Sequence, residues 1–264
     1  MCYAQCFSTK NKRDDFMGSL LDVQMSIFIN NRIEPTPNNV SLLMNELNKL
    51  DSKHYEYLPS IIRSQTIDLS NGKISTVSNI AFSTITNNSK IACTDDRIDC
   101  TLTFSQDTQS DFKKSLLFCA KVLDTIIDNF HIYGNRLAIN ISQLSNKLPD
   151  NILESKLGSS MVSVFNFYQE HELSDWSTNA NSIVDININD NLEKINVNTQ
   201  LQAGRDNESN CKILICHLDI NTLETNKGYR FSKNELHDFV EKTIPCIEQI
   251  LNEFVVLDNE ENND

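Results

Sequence analysis

The chain has 264 residues, 39% of them hydrophobic, and a formal net charge of −13 from 23 Lys and Arg against 36 Asp and Glu. That length and apolar content suffice to bury a real core, so disorder is not the default expectation. The negative field repels phosphate backbones, and no dense basic run offsets it: Lys10, Lys12 and Arg13 are followed at once by Asp14 and Asp15, so direct nucleic-acid binding is not expected.

Residues 1–19 read as an N-terminal arm that becomes polar after Phe7, without an apolar stretch long enough for a secretory signal. Leu21, Val23, Met25, Ile27 and Ile29 then alternate with mostly polar neighbours, the period of a half-buried strand. After Pro35 and Pro37, the set Val40, Leu43, Met44, Leu47 and Leu50 follows helical spacing, with proline suited to the first turn. Asn71-Gly72 between Gln65–Leu69 and Lys73–Val77 predicts a hairpin with a two-residue loop, because both residues accept positive φ cheaply. Strands are predicted at Asn88–Cys93 and Ile98–Phe104, with Asp95-Asp96 at a turn. Phe112, Leu116, Cys119, Leu123, Ile126, Ile127 and Phe130 predict a long helix, with Gly134 as its stop.

The same order of elements then begins again. Leu137, Ile139 and Ile141 alternate in a strand, and Pro149-Asp150 opens a short helix that Gly158 closes. Met161–Tyr168, Ser182–Ile188, Ile195–Leu201 and Lys212–Ile220 supply further strands, the last apolar enough to be placed centrally in its sheet. Ser232 and Glu235 have capping-box spacing ahead of a closing helix that buries Leu236, Phe239, Val240, Ile244, Ile247, Ile250, Leu251 and Phe254. Pro245 should bend that helix, since its ring displaces a backbone hydrogen bond.

The predicted class is therefore α+β: pseudo-duplicated β-α-β-β-β-β-α units, one spanning 20–134 and the other 135–257, with antiparallel sheet and long amphipathic helices packed on one face. Residues 258–264 form an acidic tail. No apolar run is long enough to span a membrane, so the expected setting is cytoplasmic. The eight cysteines include no C-x-x-C and lie mostly in apolar stretches, which favours reduced core thiols over disulfides or structural zinc.

Two of these segments resemble a sporadically distributed bacterial family of uncharacterised function. Arg136-Leu137-Ala138-Ile139-Asn140-Ile141 is similar to that family's mid-chain strand opening with Arg, and Ile213–Asn221 is similar to its late strand ending in an acidic pair, although Asn221 replaces the second acid. A helix carrying Leu236-His237 follows at the family's distance. The resemblance implies an α+β fold and a prokaryotic, cytoplasmic protein; it implies no catalytic residue.

The chemistry of the chain is defined mainly by what is missing. The six glycines are too dispersed for a phosphate-cradling loop, and no G-x-S-x-G occurs. Asp185, Asn187 and Asn189 have the first spacings of a calcium loop, but Asp190 stands where glycine is needed and Asn196 where a bidentate Glu is needed, so a strand is expected there. Pro149-Asp150 with Glu154 and Lys156 crowds acid and base onto one short helix instead of around a cation. Arg230 and His237 are six residues apart, a spacing found in helical ribonucleases, but the strands here argue against that fold. The candidate binding residues are His217, Asp219, Arg136 and His237. His217 and Asp219 share one face of a strand and could meet as base and orienting carboxylate, or as a structural pair; His237-Asp238 reads as a surface pair.

The leading expectation is a non-enzymatic binding or assembly protein that recognises a protein partner, immunity, antitoxin-like, chaperone-like or a defence-complex subunit, with an acidic surface suited to basic partners. No cofactor and no metal are assigned, and self-association is compatible with the sequence. The alternative is a metal-dependent hydrolase or nuclease built on Asp95, Asp96 and Asp99 or on the His217 and Asp219 pair.

Overall fold

A computed structural model describes residues 19–50, 56–68, 72–105, 111–145, 176–205, 212–224 and 227–256. The N-terminal arm before Ser19, the short helix opened by Pro149-Asp150, the strand Met161–Tyr168 and the tail 258–264 lie outside the described residues.

In chain order the elements are β1 (Ser19–Ile29), α1 (Pro37–Leu50), β2 (Tyr57–Asp68), β3 (Lys73–Thr84), β4 (Ser89–Cys93), β5 (Arg97–Thr103), α2 (Phe112–Phe130), β6 (Gly134–Leu144), β7 (Trp176–Ile188), β8 (Asn191–Arg205), β9 (Lys212–Thr222) and α3 (Lys233–Val256). The strands form one nine-stranded sheet in the order β2-β3-β4-β5-β1-β6-β9-β8-β7, and every neighbouring pair is antiparallel. The protein is thus α+β. No described helix is long and apolar enough to cross a membrane.

Alternation along the strands separates two faces. Val23, Met25 and Ile27 of β1, Ile98 and Cys100 of β5, Leu137, Ile139 and Ile141 of β6, and Leu214, Cys216, Leu218 and Ile220 of β9 are buried in one apolar cluster with the helices. Register carries the alternation across the sheet: Met25 faces Cys100 on one side and Ile139 on the other, and Ile139 faces Ile220. The start of β1 departs from the predicted pattern. A register shift between Leu20 and Asp22 leaves Leu21 as an extra residue, so Leu20, at 5% exposure, takes the inward place expected for Leu21.

The helices cover the apolar side with the predicted stripes. α1 begins at Pro37, and Thr36 Oγ1 accepts from the Asn39 N–H at 3.3 Å. It buries Leu43 and Leu47. α2 is capped by Asp111, whose carboxylate accepts from the Lys113 and Lys114 amides at 2.9 and 3.4 Å. Its end differs from expectation: the left-handed C-cap is His131, with φ 50°, while Gly134 opens β6. Gly134 is needed for space. A Cβ there would lie 2.5 Å from Ile27 Cγ1 and 2.7 Å from Ile27 Cδ1.

α3 runs without interruption from Lys233 to Val256 through Pro245. Its start uses half of the predicted capping box, because Glu235 accepts from the Ser232 amide at 2.9 Å while the Ser232 hydroxyl donates to the same carboxylate oxygen instead of accepting from a backbone amide. The predicted hairpin around Asn71-Gly72 is present, with residues 69–71 outside the described residues. β2 and β3 pair down to Asp68↔Lys73, with Gly72 at φ 68°. The stretch with calcium-loop spacing is the β7–β8 hairpin, where Asn189 and Asp190 both have positive φ, 45° and 63°. Its tip docks on α3: the Asn189 amide donates to Asp238 at 2.7 Å and its side chain donates to Glu235 at 2.7 Å. β9 lies between β6 and β8, a central position.

Candidate functional site

The face of the sheet away from the apolar cluster is polar, and cross-strand register arranges it in rows. One row runs Asp22, Ser142, His217, Gln200 across β1, β6, β9 and β8. The next runs Gln24, Asn140, Asp219, Asn198, and a third runs Ser26, Ala138, Asn221, Asn196. At the β5 end, Arg97, Phe28 and Arg136 form a further row. Directly opposed residues in a sheet sit close enough for their side chains to interact, so each row is a line of potential contacts.

The ionic groups of this face are engaged with one another or with neutral polar and aromatic side chains. Asp99, 8% exposed, accepts from the Ser26 hydroxyl at 2.6 Å and from Arg97 Nε at 3.0 Å. The Arg97 and Arg136 guanidinium groups stand over the Phe28 ring, 5.7 and 4.8 Å from its centroid, where the electron-rich face of the ring attracts cations. Arg136 Nη2 donates to Asn221 Oδ1 at 2.9 Å, and the Asn221 amide donates to Asp219 Oδ2 at 3.1 Å. Arg136 Nε is buried without a hydrogen-bond partner among the described residues.

His217 and Asp219 do share a face, but they do not form the base-and-carboxylate pair considered from sequence. His217 Nδ1 lies 3.1 Å from Ser142 Oγ, while the donor engaging Asp219 is Asn221. On its other side Ser142 bonds Asp22. Burial raises the Asp22 carboxyl above its ordinary value, and the Ser142 hydrogen bond and the nearby His217 ring offset that only in part. An Asp–Ser–His order of this kind is not a nucleophilic triad, in which the acid must orient the histidine on the nitrogen opposite the serine. Between these strands is a depression of about 220 Å³ walled by Asn140, Ser142, Asn198, Gln200, His217 and Asp219. Asn198 Oδ1 is buried there without a hydrogen-bond partner among the described residues.

The other candidates lie elsewhere. His237 is on α3, where its Nε2 lies 3.5 Å from Asp124 Oδ2 on α2; Lys233 reaches the same oxygen at 3.2 Å. Its sequence neighbour Asp238 accepts from the Asn189 amide of the β7–β8 turn. Arg230 is engaged with Glu193 and not with His237. Asp95 pairs with Arg32 at 3.2 Å, Asp96 accepts from Thr94 at 3.2 Å, and Asp99 belongs to the Ser26 and Arg97 network, so these three acids do not converge. Among the described residues no group of three His, Cys, Asp or Glu side chains is placed to hold a metal ion.

The described cysteines Cys93, Cys100, Cys119, Cys216 and Cys246 are free thiols. Burial pushes Cys93 up to about 12, with Asp99 adding to it, and Cys216 up to about 11. A nucleophilic cysteine needs its thiolate at neutral pH, and these two are held far from it.

Sequence reasoning found Arg136, His217 and Asp219 but missed Asp22, Ser142, Asn198 and Gln200. The available signal was the outward set of β1, Asp22, Gln24 and Ser26, polar at every alternate place. Its significance depends on β1 pairing with β6, 100 or more residues later in the chain, which no local pattern reveals. No protein-family model and no curated protein matches the chain.

Proposed function

We propose that this is a non-enzymatic, cytoplasmic binding protein that recognises a protein partner through the polar face of its sheet, in the manner of an immunity, antitoxin-like, chaperone-like or defence-complex subunit. The observation that carries the reading is the network of that face: Arg97 with Asp99, Arg136 with Asn221, and Ser142 with His217 hold one another in place on adjoining rigid strands. Recognition needs side chains fixed in one geometry, and fixed networks lower the entropy lost on binding. Dispersal of Asp95, Asp96 and Asp99 among separate partners further weakens the case for a metal-dependent hydrolase.

The same reading treats the chain as two paired copies of one unit. β1 and β6 meet at the middle of the sheet, β5 flanks β1, and β9 flanks β6, so each meander returns to its own first strand. On this view the halves join edge to edge through β1 and β6, and the likeness to the sporadic bacterial family extends to its fold.

Affinity capture from a native extract, with the full chain as bait, tests the reading. A stoichiometric protein partner whose binding weakens with salt is expected, since a chain of charge −13 favours basic partners. A chain that stays monomeric with no stoichiometric partner overturns it.

A further inference from the structure

We propose that the depression between β6, β9 and β8 receives an arginine side chain of the protein partner. This rests on the reading of the polar face as a protein-recognition surface and assigns its anchor point.

Size is the first argument. At about 220 Å³ the depression falls below the roughly 300 Å³ at which small-molecule sites usually begin. It has room for one long side chain.

The second argument is the chemistry of the wall. Asp219 and Asn198 are directly opposed in the β8–β9 register, so two oxygen acceptors stand side by side. Asp219 has its Oδ2 engaged by a neutral amide and forms no salt bridge among the described residues. Among the described residues Asn198 Oδ1 is buried with no donor, a condition that is costly unless a partner arrives. A planar guanidinium with five N–H groups in a fixed fork can donate to both acceptors at once, and an ammonium presents its donors from a single point.

Local electrostatics point the same way. Asp22 lies in the adjacent row and carries a carboxyl whose ionisation is disfavoured chiefly by burial, a cost that a positive charge beside it offsets. An incoming cation relieves that cost. Groups held against the interest of folding are characteristic of binding sites.

The test uses the full chain and three probes: N-acetyl-arginine methylamide, the lysine equivalent, and the citrulline equivalent, which keeps the shape and loses the charge. Binding is followed by NMR of the Asn140, Asn198 and Gln200 side-chain amides and the His217 ring. Saturable shifts at these groups are expected with the arginine probe, with affinity at least about tenfold weaker for citrulline and for lysine. Asp219→Asn and Asn198→Ala should each remove the response while the amide spectrum of the helices is unchanged. Equal binding of all three probes, shifts that persist in both variants, or no saturable shift at these groups overturns the assignment. A partner captured from extract equally well by the wild type and by Asp219→Asn removes the arginine anchor and leaves the recognition reading standing. A responsive pocket in a chain that captures no partner does the reverse.

Discussion

Arg230 and Glu193 meet in a two-point ion pair, Nε to Oε1 at 2.6 Å and Nη2 to Oε2 at 2.8 Å. The two residues are 22% and 11% exposed at their side chains, and the pair ties β8 to the segment leading into α3. Arg230 also donates to the Asn135 carbonyl at 2.8 Å and lies 4.1 Å from the Phe231 ring centroid. It therefore gathers β6, β8 and the start of α3 at one corner. Glu193→Gln should lower stability by about 2–4 kcal/mol, because it leaves a largely buried guanidinium without its counter-charge. Arg230→Lys should cost a similar amount, since an ammonium cannot reproduce the two-point geometry. Urea denaturation midpoints measure both, and a change below the scatter of exposed-site variants would show the corner to be unimportant.

Gly134→Ala tests the contact between β6 and β1. The added methyl would sit 2.5 Å from Ile27 Cγ1 and 3.2 Å from the Phe28 carbonyl oxygen. Overpacking of this kind costs about 1–3 kcal/mol. Ile27→Ala alone should cost about 2–5 kcal/mol as a core truncation, and the double variant should lose less than the sum of the two, since the truncation makes room for the methyl. Strict additivity in thermal unfolding would show that the two sites do not touch.

His131 caps α2 in the left-handed region at φ 50°, where a residue with a Cβ is held at a cost of about 1–2 kcal/mol. His131→Gly should raise the melting temperature, and His131→Val should lower it by more, because a β-branched residue tolerates this region least. Equal melting temperatures for all three would mean that the cap relaxes without consequence.

Asp22 gives a pH signature. Its carboxyl is raised above 3.8 in the folded protein, chiefly by burial. The folded state therefore holds this proton to higher pH than the unfolded chain, and stability from this group falls as pH rises from about 3.8 through the folded value. Asp22→Asn should remove that fall, so its stability relative to the wild type should improve as pH is raised from 4 toward 7. Denaturant midpoints across that range provide the measurement; a variant that gains nothing at the upper end contradicts the assigned direction.

The local elements were largely legible. Alternation in Val23, Met25 and Ile27, helical spacing in Leu43 and Leu47, and the Asp111-capped stripe of α2 each require only a few neighbouring residues to agree. Where prediction slipped, geometry depended on something more distant. Leu21 yields its inward place to Leu20 because of a bulge in the β1–β6 ladder. Gly134 is a clearance for Ile27 instead of a helix stop, as the contact comes from a strand more than 100 positions earlier. The Asn189-Asp190 turn is an exception, readable in principle as a pair of residues tolerant of positive φ but overshadowed by the apparent calcium spacing.

What the sequence determined by itself was the inventory: mixed helix and strand, an apolar face for each element, a strongly negative surface, and a few isolated polar residues on strands. Tertiary structure alone decided their company. Asp22, Ser142, His217 and Gln200 come from four strands and become neighbours only when β1, β6, β9 and β8 pair in one register. Local periodicity reports which way a side chain points because that depends on backbone geometry over a few residues. Which residue stands opposite depends on hydrogen-bonded pairing between segments far apart in the chain, and a shift of one residue would turn every polar group on this face into the core.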